Sequence, residues 1–347
     1  MSHLLKSRSR NSAFTLVELM IVIAIIGILA SLATVGVMKA LEKGKMVAAR
    51  TEISQLEAAI AAAKQKYGLD QLPQSLVLYD NLPQWEAQSG NAAPIYSSIF
   101  DASKFPVGLS SFPPAQKILI VADSLNLMKK IFGRDFLQDA NLGPSLTNRV
   151  KWAATAVVDT PVFLTSDQAV WFLLGGVLDA TGKFSGFPGY AREPTKTLST
   201  RDATKPLLPF LDFDAGRMKI GTNGFATYCD PYNTPYAYFS SKYNYCDYSN
   251  NITGFGTVYL GRFMYEGQIV RPFFNTYTGG NIPTNWSQFK FLNPRSFQII
   301  SAGPDKIFGT NDTGLPYAPN TGSYMIGGVG YDDLANFSST QLGKKDE

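Results

Sequence analysis

Between Phe14 and Met38 the chain has 25 residues and a single charge, the carboxylate of Glu18. As an α-helix this run is about 37 Å long, enough to cross a bilayer core of roughly 30 Å. A carboxylate within such a segment costs about 2.5–3.5 kcal/mol, so Glu18 requires a partner. No basic residue lies within one helical turn of it in the sequence. A cut just before Phe14 would create an amine one turn away, and that amine, on this chain or on a neighbouring copy, is the natural counter-ion. A plain membrane anchor is an alternative, but it needs neither Glu18 nor the Phe14-Thr15-Leu16 block. A secretory signal is another, with Lys6–Arg10 as its basic region, Leu19–Leu29 as its apolar core and a cut after Ser31-Leu32-Ala33. The length of the run disfavours a buried helix of a soluble protein.

Ala13-Phe14-Thr15-Leu16-Val17-Glu18 resembles the cleavage and methylation site of type IV pilin-like proteins. The resemblance implies that a prepilin peptidase cuts between Ala13 and Phe14 and N-methylates Phe14. It also implies that Glu18 pairs with the terminal amine of a neighbouring subunit during filament assembly. The family usually has Gly before the cut, where this chain has Ala13. Many members also carry a proline within the apolar helix, and this chain has none there. Gly27 and Gly36 are its weak points, at roughly 1 kcal/mol each relative to Ala.

The formal charge of +4 says little about partners, because Lys6, Arg8 and Arg10 precede Phe14 and supply three of those units. This is a topology signal that keeps the leader on the cytoplasmic side. Nucleic-acid binding is not indicated, since it needs a clustered basic face. His3, the one histidine, is also in the leader. A chain cut after Ala13 therefore has none, which excludes Ser-His-Asp and Cys-His catalysis and histidine-containing zinc sites. No glycine loop of the phosphate-binding kind precedes a helix. Asp212-Phe213-Asp214 would place two carboxylates on one face of a strand, as glycosidases pair them, but this spacing is common by chance. No catalytic residue is assigned, and the expectation is a protein that is not an enzyme. Cys229 and Cys246 follow the apolar run and are expected to form a disulfide in an oxidising compartment, two buried thiols being the alternative.

The pattern predicts four segments: a leader over 1–13, a transmembrane or filament-core helix over 14–38, its amphipathic continuation over 39–68, and a globular domain over 69–347. Met46, Ala49, Ile53, Leu56, Ile60, Ala63 and Tyr67 recur at spacings of three and four, with Lys43, Lys45, Arg50, Glu52, Glu57, Lys64 and Lys66 mostly off that stripe. One helix over 14–67 would be about 80 Å long, with Gly68 as its stop. Residues 69–114 read as loops with short elements, and 115–133, 145–157 and 166–178 as helices, the last capped by Ser166 and Asp167. From about Lys183 onward, aromatic and β-branched runs such as 234–239, 256–263 and 296–301 alternate with turn residues. The expected fold class is α+β and pilin-like: a long N-terminal helix packed on a domain with a helical middle and a C-terminal antiparallel sheet.

Asp230-Pro231-Tyr232-Asn233-Thr234-Pro235-Tyr236 is similar to a string that opens a strand in the pseudopilins of type II secretion systems. Ser301-Ala302-Gly303-Pro304-Asp305, with Gly309-Thr310-Asn311-Asp312 and Asp332-Asp333, is similar to the C-terminal loop of the major pseudopilin. There the loop binds calcium, which implies Asp305, Asn311, Asp312, Asp332 and Asp333 as candidate Ca2+ ligands; calcium takes six to eight hard oxygens. Turns and a cap on a short final helix are the alternative role for these residues. The segment over about 69–220 is far longer than in a compact major pseudopilin. The resemblance as a whole implies a filament subunit in a type II secretion pseudopilus or a type IV pilus. Its partners would be prepilin peptidase, other pilin or pseudopilin subunits, an inner-membrane assembly platform with an assembly ATPase, and lipid before assembly. It would be a single-pass inner-membrane protein with its C-terminal domain in the periplasm or on an extracellular filament. A minor pilin that binds or adheres through its large domain is the other reading.

Overall fold

The computed structural model describes residues 16–78, 114–132, 162–164, 166, 168–175, 209–221, 224–241, 263–266, 268–277, 289–309, 317–319 and 321–344. The chain divides into two units, residues 1–47 and 48–347. Helix α1, Leu16–Tyr67, runs through 52 residues. It stops where the sequence supplies Gly68 at φ 60°, a left-handed conformation that residues with a Cβ rarely adopt. The Lys130 ammonium donates to the Gly68 carbonyl at 3.1 Å, favourably placed at the negative end of the helix dipole.

Within residues 48–347 the expected stripe is the buried face of α1. Ala49, Ile53, Leu56, Ile60, Ala63 and Tyr67 are all buried. Glu52 corrects the sequence reading: it lies in the buried arc, at 7% exposure, rather than on the solvent face. Further along, β1 (Leu76–Leu78) pairs antiparallel with β2 (Val162–Leu164), and α2 (Pro114–Phe132) packs on β1. The Ser124 hydroxyl joins that contact by accepting the Val77 N–H at 3.0 Å. Helix α3 is only Ala169–Leu173. It is shorter than expected because the chain turns at Gly175, φ 99°. Nor does Ser166 cap it: the N-cap position is Gln168, whose side chain does not cap the helix but donates to the Phe225 carbonyl at 3.3 Å, and the Ser166 hydroxyl is buried without a partner. Asp167 and the helix expected over 145–157 lie outside the described residues.

The remaining strands are β3 (Met218–Ile220), β4 (Ala226–Tyr228), β5 (Ala237–Ser240), β6 (Phe263–Tyr265), β7 (Gln268–Val270), β8 (Phe274–Tyr277), β9 (Phe289–Phe291), β10 (Phe297–Ser301) and β11 (Leu334–Ala335). Instead of one C-terminal sheet, the described strands form a three-stranded sheet, β11-β10-β5, and two-stranded pairs β3-β4, β6-β7 and β8-β9, all antiparallel. Leu334–Ala335 is thus a strand and not the start of a final helix. Phenylalanines interlock the small sheets: Phe274 and Phe289 meet edge to face at 4.5 Å, and Phe263 meets Phe308 at 5.5 Å. Buried Gln298 adds a polar tie from β10. It accepts the Phe273 N–H at 2.7 Å and donates to the carbonyls of Phe273 and Leu292, each at 2.8 Å. The architecture is α+β: a long helix followed by a domain of short helices and small antiparallel sheets, consistent with a pilin-like fold.

Candidate functional site

From Leu16 to Met38, α1 is apolar on every side apart from Glu18, and its described side chains are exposed. Its described large apolar side chains from Leu16 to Leu41 are between 45% and 74% exposed. Such a surface is not stable in water, and its fate is lipid or other apolar helices. It is the one described helix long and apolar enough to cross a membrane. Its two hydroxyls make no demand on a hydrocarbon surrounding. Ser31 donates to the Ile28 carbonyl at 2.7 Å and Thr34 to the Ala30 carbonyl at 2.8 Å. Glu18 stands in the first turn of this helix. Ala13 and Phe14 lie outside the described residues.

In residues 48–347 a polar clamp fixes α1 to the sheets. The Glu52 carboxylate receives two guanidinium N–H bonds from Arg217 and the hydroxyls of Tyr228 and Tyr236, the last at 2.7 Å. Arg217 is placed by the turn before β3, where the Asp214 side chain accepts the Gly216 N–H at 2.9 Å and the Arg217 Nε–H at 3.2 Å. The guanidinium also lies 5.0 Å from the Tyr228 ring centre, and Trp171 closes the group edge-on to both tyrosines. Burial works against the Arg217 charge, but the hydrogen bonds and charge of Glu52 outweigh it and hold the guanidinium protonated. Burial, and then the bond to Glu52, keeps the Tyr228 hydroxyl protonated as well. A second tie lies further along the helix. The Asn336 amide donates to Glu57 at 3.0 Å and to the Phe297 carbonyl at 3.2 Å. Asp212 and Asp214 are both exposed and on no strand, so they are not a face-sharing pair; Asp214 is a turn cap.

The string at 230–236 makes the β4–β5 turn. One Asp230 carboxylate oxygen accepts the N–H groups of Tyr232 and Thr234, both at 2.9 Å, and the other accepts the Ser301 hydroxyl at 2.6 Å. Asn233 takes the left-handed position, φ 69°. Cys229 precedes this turn, fully buried, and burial pushes its thiol up to about 11. Cys246, its expected partner, lies outside the described residues.

The acidic C-terminal loop brings three of the five candidate calcium ligands near one another. Asp332 accepts the Asp305 N–H at 3.1 Å, Asp305 accepts the Ile307 N–H at 2.8 Å, and Asp333 accepts the Gly309 N–H at 2.8 Å. Asp333 is fully buried and its Oδ1 has no hydrogen-bond partner. Burial, reinforced by the charges of Asp332, Asp305 and Asp230, pushes its carboxyl well above the ordinary range. Asp305 is pushed up to about 6, by burial and by Asp332. Among the described residues no group of three or more His, Cys, Asp or Glu side chains is placed to hold a metal ion, and Asn311 and Asp312 lie outside them.

Residues 8–34 match the family model of the prokaryotic N-terminal methylation motif. The chain carries a pilin-type N-terminus. No curated protein and no solved structure matches it. The matched segment contains Ala13, Phe14 and Glu18 and runs into the exposed apolar half of α1. This pilin-type motif implies processing by a prepilin peptidase and assembly with other pilin subunits, and the helix that follows is compatible with membrane anchoring. Residues 48–347 lie outside the match. The clamp is the feature that sequence reading missed. Its signal was a carboxylate at position 52, within the arc set by Ala49, Ile53 and Leu56.

Proposed function

We propose that the chain is a structural subunit of a type II secretion pseudopilus or a type IV pilus-like filament, with no catalytic role. It waits in the inner membrane as a single-pass protein, its large domain on the periplasmic side, and is cut before Phe14. It then passes to the filament through an assembly platform. The supporting observation is the methylation motif at 8–34 joined to an apolar helix whose described large side chains are exposed. Lipid covers that helix before assembly, and the helices of other subunits cover it afterwards. The test is crosslinking of the full-length chain in membranes that contain a prepilin peptidase and the assembly platform. The expected result is a ladder of oligomers of the processed chain that is lost without the peptidase. Monomer alone in both cases contradicts the reading.

For the acidic loop we propose calcium, supported by the buried Asp333 oxygen that lacks a partner and by the charges of Asp332 and Asp305 acting on it; the described carboxylates do not make a metal site by themselves, and Asn311 and Asp312 would complete it. Without the ion, a raised Asp333 pKa means the folded chain binds its proton more tightly than the unfolded chain. The associated stability is therefore full below the unfolded value, about 3.9, and declines as pH rises toward the folded value. Asp333→Asn, neutral throughout, is expected to match the parent in melting temperature near pH 4 and to exceed it increasingly toward pH 7 in chelator. Added calcium should raise the parent and not the variant. A parent melting temperature that calcium does not move would remove this proposal.

A further inference from the structure

Lys39, Lys43 and Lys45 follow the apolar run immediately, with Glu42 as the one carboxylate among them. All three lysines are exposed. They stand on the same uninterrupted helix as the run, so the run sets their depth. From Phe14 to Met38 the run is about 37 Å long, against roughly 30 Å for a hydrocarbon core and about 40–45 Å for a bilayer with its headgroups. A helix centred in the bilayer therefore carries Lys39 in the headgroup layer. Lys43 and Lys45 stand about 6 and 9 Å further along. Helix side chains lean toward the N-terminus, which here is toward the bilayer. A lysine stem lies along apolar surface while its ammonium stays in the polar layer, so all three ammoniums reach the depth of the lipid phosphates. Around the axis Lys43 is about 40° from Lys39, and Lys45 is about 120° to the other side. The three form a collar, not a stripe. Met38 and Leu41, 66% and 63% exposed, add apolar surface at the same level.

We propose that this collar binds the anionic phosphodiester headgroups of the leaflet on the domain side of the membrane. Charge selects the occupant, since juxtamembrane lysines are drawn to acidic lipid. Geometry agrees: cations on different sides of one helix suit lipids that surround it better than a single acidic protein face. The proposal rests on the reading that lipid covers α1 before assembly, and adds which lipids and where. It also gives the cut before Phe14 a consequence. Lys6, Arg8 and Arg10 leave with the leader. The collar then holds the basic side chains nearest the apolar run at either end, and such side chains anchor the processed chain from the domain side alone.

The test uses the full-length chain in phosphatidylcholine vesicles that contain, in turn, a minor share of a photoactivatable lipid. The probes are phosphatidylglycerol labelled in its headgroup, phosphatidylcholine labelled in its headgroup, and phosphatidylcholine labelled in its acyl chain. The expected result is adducts of the phosphatidylglycerol probe on peptides covering 39–45, severalfold above those of the phosphatidylcholine headgroup probe. That excess is lost when Lys39→Gln, Lys43→Gln and Lys45→Gln are combined, and kept when Lys39→Arg, Lys43→Arg and Lys45→Arg are combined. It is also kept when Lys6→Gln, Arg8→Gln and Arg10→Gln remove the leader's cations. Equal labelling by the two headgroup probes, or an excess that the glutamine collar keeps, overturns the proposal while the acyl probe on 16–38 leaves the membrane reading standing. Failure of the acyl probe to label 16–38 in the parent overturns both.

Discussion

Truncating Glu52 to Ala is expected to destabilise the domain strongly, with about 3–5 kcal/mol, the cost of breaking a fully buried ion pair, as the ceiling, because the Arg217 side chain is 24% exposed. Arg217, Tyr228 and Tyr236 all direct donors at the Glu52 carboxylate, which is itself 7% exposed. Removing it strands a guanidinium and two hydroxyls in a site closed by Trp171. The Asp214–Arg217 contact cannot substitute, because the Asp214 side chain is 58% exposed and such pairs are worth about 0–1 kcal/mol. Glu52→Gln, which keeps an acceptor and loses the charge, falls between Ala and the parent. The double variant Glu52→Met with Arg217→Met recovers most of the loss, since no uncompensated charge remains. Denaturant unfolding of the full-length chain in detergent, followed by tryptophan fluorescence, measures all of these. A loss below about 1 kcal/mol for Glu52→Ala would show that solvent reaches the clamp and that it holds little.

Glu18→Ala is expected to leave the chain in the membrane fraction at its normal level and to remove it from filaments. Taking a carboxylate out of an apolar segment relieves about 2.5–3.5 kcal/mol of insertion cost, so membrane residence does not suffer. In the proposed filament the same carboxylate is the partner of a neighbour's terminal amine. Without it, that amine enters the packed helices unpaired and the stagger between subunits loses its anchor. Glu18→Asp retains part of the incorporation and Glu18→Gln very little. Quantitative immunoblots of membrane and sheared-filament fractions separate the two steps. Incorporation of the Ala variant at the parental level would sink the pairing argument.

The parts of the fold that local chemistry controls were legible in the sequence. The apolar run, the Ala49-to-Tyr67 stripe and Gly68 together predict a helix that the structure shows as Leu16–Tyr67. The strands at 237–240 and 297–301 fall where the aromatic and β-branched runs lie. Their pairing was not legible, because Phe297 meets Ser240 across a long stretch of intervening chain. The clamp was missed for the same reason: Glu52 and Arg217 are 165 positions apart, and a charge in an amphipathic helix ordinarily reads as solvent-facing. Ser166 has the residue type of a cap, but its hydroxyl is buried and has no hydrogen-bond partner. In the acidic loop the residues were identified, but the division of labour was not. Asp305 serves a turn at the surface, while Asp333 is drawn fully inside, a difference made by the packing of Tyr324 and Gly309 rather than by spacing.

The central claim is that this N-terminus is processed as a pilin is, so the decisive measurement is the mass of the intact chain and of its N-terminal peptide, taken from the native membrane fraction. The account predicts a chain that begins at N-methylated Phe14. A chain beginning at Met1, or one cut after Ala33, would contradict it, because neither places an amine one turn from Glu18.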